Sequence, residues 1–187
     1  SAPSGCIPDG GGPDPGDGGP QDPPNLAPQV RLEAVQTSPA RLTPDGNLFA
    51  DNARLGATLL ARPGRAGVAL GERMHVWEVA CTVSLVDSQG VEARRYERRR
   101  PIELPGEPTG IAKTELELLW DGRAPDGKPV RPGTYSVRWS ATLQAVNVRT
   151  GRARPFARAV GSGGAIEVAT EWDNREAAWV ALRALQG

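Results

Sequence analysis

The chain has 187 residues, with 22 Lys+Arg against 22 Asp+Glu and 39% hydrophobic residues. That length suits one domain of ordinary size with extensions, and the neutral charge balance removes the electrostatic reason to expect nucleic acid. No apolar run approaches the roughly 18 residues of a membrane-crossing helix. The chain starts at Ser1 rather than Met and opens with no signal-peptide pattern, as a processed or trimmed product would.

Residues 1–28 are low in complexity, and the stretch Gly10-Gly11-Gly12-Pro13-Asp14-Pro15-Gly16-Asp17-Gly18-Gly19-Pro20 carries almost nothing apolar. Such a segment cannot bury enough surface to offset its ordering entropy. It is expected to be an arm or linker of polyproline character. A change comes at Gln29. Val30, Leu32 and Ala34 alternate with Arg31, Glu33 and Val35, which predicts a strand. Pro39 and Pro44 bound a loop. Residues 54–61 predict a second strand with Leu55, Ala57 and Leu59 on one face, and residues 62–67 a turn. In residues 76–86, Val79, Cys81, Val83 and Leu85 alternate with Ala80, Thr82, Ser84 and Val86, the clearest strand pattern in the chain. Asp87-Ser88-Gln89-Gly90 turns it into a hairpin partner over residues 91–99.

That partner carries Arg94, Arg95, Arg98, Arg99 and Arg100. Two readings fit it: an anion or polysaccharide patch, or a charged strand that discourages edge-to-edge pairing. Glu92, Glu97 and Glu103 partly neutralise it, which favours the second. Residues 114–120 place Leu116 and Leu118 opposite Glu115, Glu117 and Leu119. After a turn-rich crossing, Tyr135, Val137 and Trp139 alternate with Thr134, Ser136, Arg138 and Ser140. A strand apolar on one side belongs to a sheet with one buried face. Arg149-Thr150-Gly151-Arg152 reads as a hairpin turn, and residues 156–160 and 166–169 as two short strands around Gly161-Ser162-Gly163-Gly164. At the end, Asp173 or Asn174 caps a short helix. Its stripe of Ala178, Ala181, Leu182 and Leu185 must dock on the domain or on a partner. The organisation expected is therefore an arm over 1–28, an all-β antiparallel sandwich over 29–170 and a C-terminal helix over 171–187.

The residues of the opening and closing segments resemble a known group. Thr43-Pro44-Asp45-Gly46-Asn47-Leu48-Phe49-Ala50-Asp51 opens a strand. Trp120-Asp121-Gly122-Arg123, Asp126-Gly127 and Val130-Arg131-Pro132-Gly133-Thr134-Tyr135 lead into the final strands. Over about residues 38–143 the pattern resembles the immunoglobulin-like domain of the flagellar hook-capping protein, which is also found as a C-terminal module of bacterial secreted and surface proteins. The resemblance implies an immunoglobulin-like sandwich and a non-enzymatic role in adhesion, anchoring or assembly. It says nothing of residues 1–28 or 145–187, and fold does not fix function.

Asp45, Asn47 and Asp51 offer oxygen ligands at short intervals, a candidate calcium site. Asn47 and Leu48 stand where the family offers Asp-Gly, and Asp45 and Asn47 can equally serve the turn itself. For Cys6 and Cys81 the readings are a disulfide closing a loop of about 75 residues, contributing roughly 4 kcal/mol, a lipid on Cys6, or a buried thiol beside an incidental one. No nucleophile elbow, phosphate loop or zinc-protease motif is present, and the single His75 has no catalytic company. No enzyme and no obligate cofactor are expected. Trp120 and Trp139 fit core positions. Trp172, Trp179, Leu182 and Leu185 are the expected interface. The function this predicts is a structural subunit of a bacterial cell-surface or extracellular assembly, in the form of a filament, self-associating through its arm. The alternative is a carbohydrate-binding or adhesion module.

Overall fold

A computed structural model describes residues 26–44, 51–71 and 75–169 of the chain. Among them run β1 (Gln29–Ser38), β2 (Arg41–Leu42), β3 (Ala53–Arg62), α1 (Gly64–Gly71), β4 (His75–Val86), β5 (Glu92–Pro101), β6 (Ala112–Trp120), β7 (Gly133–Asn147) and β8 (Ala153–Val168). They make two sheets, ordered β1-β3-β6 and β2-β8-β7-β4-β5. One apolar core draws on both sheets.

Its origin is the period-two pattern. Along β4, Trp77, Val79, Cys81, Val83 and Leu85 are buried, while the residues between them are half-buried or exposed up to Ser84. Register lines these positions up across strands. Val83 pairs with Trp139 and Leu85 with Val137, while Leu55 pairs with Leu118 and Ala57 with Leu116. Trp120, Trp139, Leu42, Leu55, Leu59, Leu85 and Leu143 are the largest of the fully enclosed side chains. Each such side chain contributes about 1.5–3 kcal/mol of burial. The expected core tryptophans, Trp120 and Trp139, are therefore where the alternation put them.

The crossing from β6 to β7 is fastened to this core. Trp120 Nε1 donates to Arg123 O at 3.1 Å, and Val130 N donates to Gly122 O at 2.9 Å. Tyr135 packs edge-on against Trp120, with centroids 5.4 Å apart, and its hydroxyl donates to Arg131 O at 2.7 Å. The turns follow their side chains. Asp87 Oδ1 accepts from Gln89 N and Val91 N, and Asn147 Oδ1 accepts from Arg149 N and Thr150 N. These are backbone-mimicking turns built by a short polar side chain.

Four expectations are corrected. The sheets are not wholly antiparallel, because β2, inside the expected 39–44 loop, pairs parallel with β8. The chain changes sheet across the cis peptide Ser38–Pro39, and Glu167 N and Ala169 N then donate to Ala40 O and Leu42 O, both at 2.8 Å. In β1 the alternation breaks between Glu33 and Gln36. Ala34 takes a φ of 45° there, so the extra residue of a bulge moves Val35 to the core side. The expected turn at 62–67 is the start of α1. Gly64 and Gly67 lower its helix propensity, but Gly67 lies where an added Cβ would stand 3.3 Å from Trp77, so packing prevails. The two short strands expected near the end are one strand, β8. Its glycines are not a turn: a Cβ on Gly163 would stand 2.8 Å from Trp139 Nε1, and only glycine permits that approach.

Replacing Tyr135 by Phe leaves Arg131 O without its donor while keeping the ring. The expected loss is about 1 kcal/mol of stability, read as a lower midpoint in urea at unchanged slope. An unchanged midpoint contradicts the role given to this bond.

Candidate interaction surface

The chemistry-bearing residues lie on the faces and edges of the sheets. β5 ends the five-stranded sheet, and its pairing with β4 divides its side chains. Arg95, Glu97 and Arg99 stand opposite Ser84, Thr82 and Ala80 on the solvent face. Arg94, Tyr96, Arg98 and Arg100 stand opposite Leu85, Val83, Cys81 and Val79 on the core side. An edge strand loaded with charge resists pairing with another chain, the role the sequence favoured. Its solvent-face arginines have acidic neighbours: Arg95 Nε lies 3.0 Å from Glu97 Oε1 and Arg99 Nη1 lies 3.9 Å from Glu78 Oε1. Exposed pairs of this kind are each worth about 0.2–1 kcal/mol.

That solvent face continues over β4, β7 and β8 as an open hollow of about 540 Å³. Thr82 and Ser140 sit side by side in its floor, with Ser84 beside Arg138 in the next row. Arg158 Nε donates to Ser140 Oγ at 3.1 Å, and Ser84 Oγ donates to Glu92 Oε2 at 2.6 Å. The opposite, three-stranded sheet shows a polar outer face in which Arg54 pairs with Glu117 and Lys113 with Glu115. Glu115 and Glu117 are exposed, as a solvated strand face predicts.

The sequence-derived site residues divide. Asp51 is half-buried just before β3 and is engaged by neighbouring groups. Asp45 and Asn47, the rest of the candidate calcium site, lie outside the described residues. Among the described residues no three His, Cys, Asp or Glu side chains converge. Trp172, Trp179, Leu182 and Leu185 also lie outside them, with the C-terminal helix and the arm. So does Cys6. Cys81 sits in the core at 3% exposure, and burial pushes its thiol up to about 11. Burial, ahead of the nearby charges, also raises Tyr96 and Tyr135. His75 opens β4, half-buried. The hydroxyl floor of Thr82, Ser84 and Ser140 was not recognised from sequence. Its signal was the polar half of an alternation read only for its apolar half.

No family model matches the chain, and no curated protein matches its sequence. Among solved structures it is similar to a Mobiluncus mulieris adhesin with disulfide, isopeptide and ester cross-links. The TM-score is 0.43 and the identity 12%, over 76% of this chain and 58% of that one. It is also similar to a Pseudomonas fluorescens alkylpurine DNA glycosylase bound to abasic-site DNA, with TM-score 0.33 and 14% identity over 75% of this chain and 30% of that one. A family 2 glycosyl hydrolase of Bacteroides cellulosilyticus gives 0.31 and 12% over 74% and 14%. The chain thus spans well under two thirds of each of these. At such TM-scores none of them bears on its activity or partners.

The buried thiol has a pH signature. An unfolded thiol ionises near pH 9, whereas folded Cys81 holds its proton to about 11. The unfolded state therefore releases its proton first. Stability is full below pH 9 and falls between 9 and 11, by roughly 1.4 kcal/mol per pH unit at most. Cys81→Ala is expected to flatten that part of the profile, and native Cys81 is expected to resist alkylation until the chain unfolds. Rapid native labelling contradicts its burial. For β5, the triple variant R95V/R98V/R99V is expected to increase light scattering over the parent at equal concentration. Equal scattering removes edge protection as the purpose of these charges.

Proposed function

We propose that the chain is a non-catalytic interaction module working outside the cytoplasm, an immunoglobulin-like sandwich of the hook-capping type within a bacterial surface or extracellular assembly. The strand orders support the fold: β1-β3-β6 against β8-β7-β4-β5 has the arrangement A-B-E against G-F-C-C′ of such sandwiches. The Tyr135 hydroxyl reaching back to Arg131 O at the entry to β7 has the form of their tyrosine corner. One observation carries the functional reading. Trp77, Trp120 and Trp139 are all used in the core, which leaves the described surface without a tryptophan and built of charged side chains and hydroxyls interspersed with exposed aliphatic ones such as Leu119 and Val160, a mixture suited to protein contact. The arm over 1–28, unable to build a core of its own, is the element assigned to a neighbouring subunit, and a filament is the assembly it suits.

The carbohydrate-binding alternative needs exposed aromatic rings to stack on sugars. Burial of these three tryptophans disfavours it and would throw that task on Trp172 and Trp179.

Sedimentation velocity and electron microscopy of the full chain and of a variant lacking residues 1–28 test the preferred reading. The full chain is expected to form larger species that the shortened chain loses. Identical assembly in both overturns it.

A further inference from the structure

The two sheets differ in width, and the difference leaves an unfilled place. β6 ends the three-stranded sheet and pairs only with β3 among the described strands. The facing sheet runs one strand further. Tyr96 on β5 donates its hydroxyl to Leu119 O on β6 at 3.2 Å, and Arg100 lines the same hollow as Glu115, Leu116 and Glu117. Tyr96 and Arg100 of the core-side row of β5 therefore reach over to the edge strand β6, Arg100 on the outer side beside Glu115 and Glu117. That row is Arg94, Tyr96, Arg98 and Arg100. Its guanidiniums have no carboxylate partner among the described residues. Arg98 donates to the Glu97 carbonyl, Arg94 lies over the Tyr96 ring at 5.1 Å, and the Arg94 Nε is buried without an acceptor. The solvent-face arginines of the same strand, by contrast, have acidic neighbours.

We infer that this slot receives an extended acidic segment of a partner protein, added to β6 as a fourth strand beneath β5. Main-chain bonds to the β6 edge supply affinity, and side chains at alternate positions supply specificity. Carboxylates two residues apart stand about 7 Å apart along a strand, the spacing of Arg98 and Arg100 on β5. The other face of the incoming strand meets the Glu115 and Glu117 side of β6, where like charges in register are unfavourable. The ligand is therefore acidic on one face and neutral or basic on the other. A second copy pairing β6 to β6 does not fit, because two overhanging β5 strands would collide in the width of one strand spacing. The prolines of residues 1–28 lack the N–H that a ladder requires, so the arm is a poor occupant.

This rests on the interaction-module reading and names one of its contacts. The probe is a seven-residue capped peptide of alternating Thr and Glu, set against a block-scrambled peptide of the same composition and against polygalacturonate, with the full chain as receptor. Saturable binding of the alternating peptide is expected, with slower exchange at the amides of residues 113–119 that face away from β3. R98E/R100E is expected to weaken it about tenfold, while R95E/R99E, on the opposite face of β5, changes it by no more than about twofold. Four outcomes overturn the inference: no saturation by about 1 mM, equal loss in both variants, equal binding of the scrambled peptide or polygalacturonate, or slow exchange in the free chain at the β6 amides that face away from β3. The sedimentation test concerns residues 1–28 and leaves β6 untouched, so failure here and failure of the broader reading are told apart.

Discussion

Everything in this molecule depends on burying one side, and only one side, of each sheet. A strand places successive side chains on opposite faces, so a slip of one residue would expose the whole apolar set. Register is consequently strict wherever Leu55, Leu118, Val83 or Trp139 must meet its neighbour. The interior is closed by two indoles. Trp120 plugs the β6 end and ties the following crossing through Arg123 O, and Trp139 fills the space that Gly163 leaves open. Close-packed interiors tolerate little change in volume, which is why a glycine sits inside a long strand at that point.

The same constraint explains what the sequence made legible. β3, β4, β6 and β7 could be read because each faces core on one side and water or polar groups on the other. The turn at Asp87-Ser88-Gln89-Gly90 could be read because its own side chain builds it, whereas the turn at 149–152 could be read from those four residues without its builder, Asn147. Two of the misses, α1 and β8, have a common cause: a distant contact overrode a local rule. α1 exists against Trp77 despite its glycines. β8 stays unbroken through Gly161 and Gly163 because Leu32 and Trp139 press against it. In β1 one residue at αL shifts the pattern from Val30 to Val35. Of the surface, the charge of β5 was evident, but its position at a sheet edge and its overhang on β6 are properties of strand order, which periodicity does not encode. For Cys81 the sequence left three readings open; the structure places it on the buried side of β4.

The edges of the two sheets are handled differently. β5 carries charge on both faces. β1 leans on β8, where Thr37 Oγ1 donates to Gly163 O. β6 is screened by the strand above it rather than by its own residues. Screening by overhang keeps a large object off the ladder while leaving room for one chain in extended form, so protection and selective access arise from one arrangement.

The short β2 has a mechanical consequence. It belongs to the leading segment of the sandwich yet runs parallel to β8, the last strand, through the Ala40–Glu167 and Leu42–Ala169 bonds. Tension applied between residues 39 and 169 loads these bonds together, in shear, rather than peeling them singly. A clamp of that geometry lets the sandwich bear a pull before its interior is disturbed.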